Sequence, residues 1–302
     1  MAVTKAKGRD SPDFSALPEG CIARVISFTS PPDACRLASV SSIFKSACDS
    51  DAVWASFLPP DWRPMVSRSA SSLKELYFSL CDDPVLVGDG KMSFSLEMHS
   101  GKKCIVLSAR ALSLSGDDKS ILRSETGMSA TGDDTSSSWS WNHVPNSKFA
   151  EVAELIEIRC LEIRGTISSR MLSPRTLYAA HLVYKFTQLF NGFEIRGFEV
   201  GAGFAGDEVG KREREVFLSR FKRSNVSAPR RRCGIVPLAP DEGDESYPKE
   251  RQDGWLEIEL GEFLTKDGQD GEVEMSVVDT RNNRRMIGLV VEGIEIRPKS
   301  GK

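Results

Sequence analysis

The side chains that could do chemistry are few and scattered. Seven cysteines stand at 21, 35, 48, 81, 104, 160 and 233, and three histidines at 99, 143 and 181. No CxxC occurs and no histidine pair has metal-ligand spacing, so no metal or cofactor site is expected. The odd cysteine count and irregular spacing read as buried free thiols in a reduced, intracellular chain. G-x-S-x-G and H-E-x-x-H are absent, and nothing local supports a Cys–His nucleophile. Carboxylates are plentiful, yet spacing alone names no catalytic pair. Gly201-Ala202-Gly203-Phe204-Ala205-Gly206 matches G-x-G-x-x-G, but a dinucleotide site needs an apolar helix directly after the glycines. Here Asp207, Glu208, Lys211, Arg212, Glu213, Arg214 and Glu215 follow, and the run reads as a flexible loop. Trp139-Ser140-Trp141 offers two indoles. One reading buries them in a core; the other stacks the C–H faces of a pyranose on them, and composition leaves both open.

The basic stretch Arg220, Lys222, Arg223 and Arg230-Arg231-Arg232 precedes Asp241, Glu242, Asp244 and Glu245. It reads as a solvated, partly self-compensating loop, with a nuclear-import signal or an RNA contact as the alternatives. Only Phe221 within the run could stack on a base.

These residues sit in a chain of 302, enough for about two domains. Hydrophobic residues make up 40% and charged residues 27%, which excludes a wholly disordered or collagen-like chain. Forty basic against 43 acidic residues leave a net charge of −3, so neither a nucleic-acid nor a membrane partner is implied. No run of 18 apolar residues exists, and the N-terminus has no apolar h-region, so neither a membrane span nor a secretory signal is expected.

The chain changes character along its length. Residues 1–13 are polar and predict a flexible tail. Residues 14–58 predict three short helices. Leu17-Pro18-Glu19 opens the first, with Ile22, Val25 and Ile26 on one side, and Pro31-Pro32-Asp33 starts the next. Leu37, Val40, Phe44 and Ala47 then form one apolar stripe, and a short turn carries Val53, Trp54 and Phe57. So small a helical unit needs a partner to bury its remaining apolar face. Residues 59–101 predict a helical linker in which Ser72 and Glu75 form a capping box. From 102 to 300 the period becomes that of strands: 103–107, 155–167, 178–186, 254–260, 272–278 and 287–296. Hydrophobic parity slips between Cys160 and Leu161, and again at Gly293, predicting a bulge or bend at each. Long loops are expected at about 113–148 and 205–252. Helices first and strands after give an α+β chain: a three-helix module, then an antiparallel β-sandwich or jelly roll.

The first block resembles the F-box through Leu17-Pro18-Glu19, Ile22, Val25-Ile26, Pro32-Asp33, Arg36-Leu37, Val40-Ser41, Phe44 and Val53-Trp54. This resemblance implies docking onto the Skp-type adaptor of a Skp–cullin–F-box (SCF) ubiquitin ligase, and through it onto cullin. Leu17, Pro18, Glu19, Ile22, Val25, Ile26, Pro32, Leu37, Val40, Phe44 and Trp54 would lie in or beneath that interface. The remainder is similar to the plant phloem protein 2 family, whose domain is shared with the tobacco lectin Nictaba. The carriers are 108–112, FAEVAEL (149–155), 161–165, LYAAHLVYKF (177–186), DGWLEIELGEF (253–263), DGEVEM (270–275) and 288–299. The order of the two parts is that of the plant phloem protein 2-B type. The resemblance implies a jelly roll and a site for an N-acetylglucosamine- or mannose-containing glycan, with Trp139 or Trp141 as platform and Glu272 and Asp279 as acids. The position of the family's first platform tryptophan holds Thr131 or Ser115. The resulting expectation is a non-catalytic subunit of cytoplasm and nucleus that presents a target, glycosylated or not, for ubiquitination. The alternative is a nucleocytoplasmic lectin with a non-functional F-box.

Overall fold

The computed structural model describes residues 17–63, 70–116, 137–194, 197–207, 214–223, 235–237, 244–279 and 285–299. The predicted tail lies outside them, as does Cys233. The chain divides into two compact units: 1–83 with 96–102, and 84–95 with 103–302.

The first unit has more helices than its sequence suggests. They are α1 (Glu19–Ile26), α2 (Pro31–Leu37), α3 (Ser42–Asp49), α4 (Asp51–Phe57) and α5 (Leu73–Asp82). Serine sets four of the five starts. Ser30, Ser41, Ser50 and Ser72 each accept a backbone N–H from the first turn that follows. Ser41 explains the miscount, because its side chain takes Phe44 N and opens a new helix inside the Leu37-to-Ala47 stripe. At α5 the predicted box forms in shifted form: Ser72 Oγ accepts from Glu75 N, while the Glu75 carboxylate receives Ser71 N and Oγ. The core comprises Ile22, Ile26, Val53, Trp54, Phe57, Leu76, Tyr77 and Leu80. Trp54 sits at its centre, fully buried, with Nε1 donating to Cys48 O at 2.7 Å and Phe57, Tyr77 and Phe78 rings around it.

The second unit is a two-sheet antiparallel sandwich. Its strands begin earlier than the predicted helical linker allows, with β1 (Val85–Val87) and β2 (Met92–Leu96). Then come β3 (Lys103–Ser108), β4 (Ser113–Leu114), β5 (Trp139–Asn142), β6 (Val152–Leu155), β7 (Glu162–Ser168), β8 (Thr176–Asn191) and β9 (Gly197–Phe204). β10 (Arg214–Phe217), β11 (Phe221–Arg223), β12 (Ile235–Pro237) and β13 (Lys249–Glu250) lie where the sequence shows only a loop. They are too short to establish a period. β14 (Leu256–Thr265), β15 (Glu272–Asp279) and β16 (Ile287–Pro298) complete the set. The larger sheet runs β1-β2-β3-β16-β8-β14-β13, with β6 also on β16 and β5 on β6; the smaller runs β10-β9-β15-β7-β4. Inner faces carry the expected alternation: Val273, Met275 and Val277 are buried on β15, Ile258 and Leu260 on β14. Tyr184 Oη on β8 donates to Leu218 O at 2.6 Å.

The two parity slips have different causes. Between β6 and β7 there is no bulge: β6 belongs to the larger sheet and β7 to the smaller, and Ile158 makes only an isolated bridge to Met286. The slip marks where the chain changes sheet. At Gly293 the expected bulge is present, as a register shift between Val291 and Gly293 against β8. The extra residue, Glu292, is buried and accepts Lys148 N at 2.8 Å. A Cβ on Gly293 would lie 2.0 Å from Leu107 O, a backbone atom that cannot yield. Gly293→Ala should therefore lower unfolding stability by about 1–3 kcal/mol, measured by urea titration of the folded chain. An unchanged midpoint would mean that β3 and β16 separate freely.

Candidate functional site

The residues expected at the adaptor interface fall into two sets. Ile22, Ile26 and Trp54 are buried within the helical unit and act beneath any surface. Leu17 (44% exposed), Val25 (63%) and Val40 (66%) stand in solvent, as do Pro18 and Glu19. Pro32, Leu37 and Phe44 are intermediate. Glu19 is held by Ser46, whose Oγ donates to its Oε1 at 2.9 Å. Two further apolar residues are exposed: Phe28, 74% exposed beneath the Arg24 guanidinium, and Ile43, 38% exposed. Both fall in turns or first turns, where helical periodicity carries little information.

The glycan candidates do not assemble. Trp139 is 3% exposed, and its Nε1 donates to Ser115 O at 2.8 Å, so its indole is a core element. Trp141 is half-buried, with the Arg110 guanidinium 3.6 Å over its ring. Glu151 receives Arg110 Nε and Nη2 at 3.0 and 2.8 Å, which holds that lid in place. Glu272 and Asp279 occupy the two ends of β15, one opposite Ser168 and the other opposite Phe198. At about 3.3 Å per residue they are some 20 Å apart, too far for one sugar. Glu272 is exposed and Asp279 is buried. Thr131 is outside the described residues, and Ser115 serves as the Trp139 acceptor.

Among the described residues no group of three or more His, Cys, Asp or Glu could hold a metal. Of the six described cysteines, Cys21, Cys35 and Cys160 are exposed and only Cys48 is buried, which corrects the expectation of uniformly buried thiols. No helix among the described residues is long and apolar enough to cross a membrane.

The strongest electrostatics lie on β8, β14 and β16. Arg251 Nη1 donates to Glu257 Oε2 at 3.0 Å and to Glu295 Oε2 at 2.6 Å. Arg297 grips Glu257 with both terminal nitrogens, at 2.9 and 2.7 Å. Burial would raise the Glu257 carboxyl, but these hydrogen bonds and the nearby positive charges hold it at about 2. His181 lies against this lattice, 7% exposed, with Nε2 3.3 Å from Arg297 Nη2. A guanidinium only donates, so this contact requires an unprotonated Nε2 and a proton on Nδ1, an atom without a hydrogen-bond partner among the described residues, while Glu259 Oε2 lies 3.8 Å from the same Nε2. Burial first and the Arg297 charge second push the imidazole down to about 4.

The unfolded chain takes up that proton near 6.5, before the native state can. His181 therefore adds stability above that pH and loses it as pH falls toward 4, by about 3 kcal/mol in all. Glu257, depressed from 4.5, adds a second loss between there and about 2. Urea unfolding at pH 7, 5.5 and 4 should show His181→Gln losing about 3 kcal/mol less than the parent over this span. Parallel profiles would show that the folded state takes up this proton at the same pH as the unfolded chain.

The chain is thus a helical unit with apolar side chains in water, followed by an antiparallel sandwich. Residues 14–56 match the F-box domain and 118–298 match Phloem protein 2, and the chain belongs to the phloem protein 2 family. It is similar to "F-box protein PP2-B10" of Arabidopsis thaliana, 41% identical over 298 residues, covering 97% of each chain. It is 40% identical over 292 residues to "F-box protein SKIP3" of the same plant, covering 95% of this chain and 89% of the relative. "Putative F-box protein PP2-B8" is 39% identical over 293 residues, covering 95% and 88%.

Proposed function

We propose that this chain is the substrate-recognition subunit of an SCF ubiquitin ligase in cytoplasm and nucleus. The helical unit docks a Skp-type adaptor, which links it to cullin, and the sandwich holds the protein to be modified. The chain supplies no catalytic residue in this reading. Its contribution is to raise the effective concentration of a target lysine beside activated ubiquitin. One observation carries the proposal: the F-box match coincides with a unit that leaves Leu17, Val25, Phe28 and Val40 in water while its core is complete. The test is capture of a purified Skp-type adaptor by the full chain, beside Leu17→Ala/Pro18→Ala. Loss in the double variant supports the assignment. No capture by the folded parent chain would overturn it and favour the lectin alternative.

Target choice through a glycan is the finer part of this reading, and Trp141, the half-buried indole, supports it. If the sandwich binds N-acetylglucosamine- or mannose-containing glycans, Trp141→Ala should weaken binding about ten-fold, the worth of one aromatic platform. Trp139→Ala should instead lower stability by about 3–5 kcal/mol, because it opens a cavity. Glycan-array binding and urea midpoints measured on both variants check this split. Glycan binding that survives Trp141→Ala would exclude the indole as platform.

A further inference from the structure

Among the described residues, two strand edges in the sandwich have no neighbouring strand along part of their length. β13 pairs only with Leu256 and Glu257 of β14. Among the described residues, 258–265 of β14 therefore has a neighbouring strand on the β8 side alone. Among the described residues, β10 pairs with β9 only from Gly197 to Val200. At Gly261 a Cβ would lie 3.0 Å from Ala202 N. A groove of about 630 Å³ runs along both. A protein with such an edge usually protects it with lysine, proline or a bulge. Here β14 is bulged between Glu259 and Gly261, but 261–265 carries neither lysine nor proline.

The groove has a definite chemistry. Leu177 and Leu264, directly paired across the strands, are 41% and 52% exposed. Asp207, Glu245, Glu259 and Glu262 line it against Arg214 and Lys266. Lys299 reaches Glu259 and Glu262 from outside, and the balance stays acidic. Arg214 Nη2 already donates to the Glu259 carbonyl of the open edge. Its Nε is buried with no acceptor among the described residues. Open backbone groups, an apolar wall, an acidic rim and an unsatisfied donor together suit one ligand class.

We propose that this groove takes an extended peptide segment, added as a strand along 261–265 of β14, with apolar side chains alternating with lysine or arginine. Main-chain hydrogen bonds give affinity in this mode, and the alternate side chains give selectivity. The receptor reading supplies only the source of the segment, the protein delivered for ubiquitination. Peptide binding itself needs no adaptor.

The test is fluorescence anisotropy of the full chain with a labelled eight-residue peptide of alternating valine and lysine. The comparators are the valine–glutamate peptide and a valine–lysine peptide N-methylated at alternate positions, which lacks half the N–H donors. Saturable binding of the first, at least ten-fold weaker for each comparator, is expected. Leu264→Asp and Glu262→Lys alter exposed side chains, so folding should persist by circular dichroism, and each should weaken binding at least ten-fold. No saturation, equal binding of either comparator, or unchanged binding in both variants would overturn the proposal. So would sedimentation showing that a second copy of the chain occupies the edge. Failed adaptor capture with intact peptide binding would sink the receptor reading and leave the groove standing.

Discussion

The double variant Val25→Asp/Val40→Asp should fold like the parent chain and bind a Skp-type adaptor at least about 100-fold more weakly. Both side chains stand in water, 63% and 66% exposed, so replacing them leaves the helical core intact. A carboxylate forced against an apolar partner surface must lose water without gaining a counter-charge. Two such sites account for a hundred-fold loss without any change in fold. Adaptor titration by calorimetry, with urea midpoints taken on the same samples, separates the two effects. A variant that binds normally would move the docking face away from Val25 and Val40.

Trp54→Ala should give the opposite pattern, with about 4 kcal/mol of stability lost and binding lost only because the unit unfolds. The indole is fully buried, donates to Cys48 O at 2.7 Å, and carries Phe57, Tyr77 and Phe78 on its faces and edges. Its removal opens a cavity and leaves a carbonyl without its donor. A helical unit this small has little stability to spare. Thermal melts should show its transition move to lower temperature, while the sandwich, a separate compact unit, keeps its own. An unshifted transition would require the helices to repack around the void.

The split between these variants shows what the sequence could convey. The spacing from Leu17 to Trp54 located the module, yet spacing cannot tell an anchor from a core residue. Ile22 and Val25 are three apart in one helix, but Ile22 is 3% exposed and Val25 is 63%. On a unit that is apolar on two faces, periodicity of 3.6 marks both and names neither. The module's helices were undercounted for a local reason, since Ser41 capped a turn that the apolar stripe ran straight through. In the sandwich, alternation marks β7, β8, β14, β15 and β16, but not the eight-residue β9. The flexible loop expected at Gly201-Ala202-Gly203-Phe204 is instead strand, buried at 201–203, because glycines carry no side chain to show a period. The strands of two to four residues at 113–114, 214–217, 235–237 and 249–250 were not legible, because so few residues cannot display a period. The glycan candidates failed to converge because a motif aligned along the chain says nothing about which end of β15 each acid occupies. The charged lattice around His181 was invisible for the same reason: Arg251, Glu257, Glu295 and Arg297 meet only across three strands.

The position of β16 has a consequence for biosynthesis. It lies between β8 on one side and β3 and β6 on the other, so it is the middle of the larger sheet, yet it is translated after every other strand of the sandwich. Until residues 287–298 leave the ribosome, β3 and β8 have no strand to join them, and the sheet cannot close. The helical unit has its whole core by residue 102 and can fold long before. Premature termination between residue 102 and β16 would thus yield a chain with its helical unit complete and no folded sandwich. In the proposed receptor role, such a fragment would occupy adaptors without holding a target.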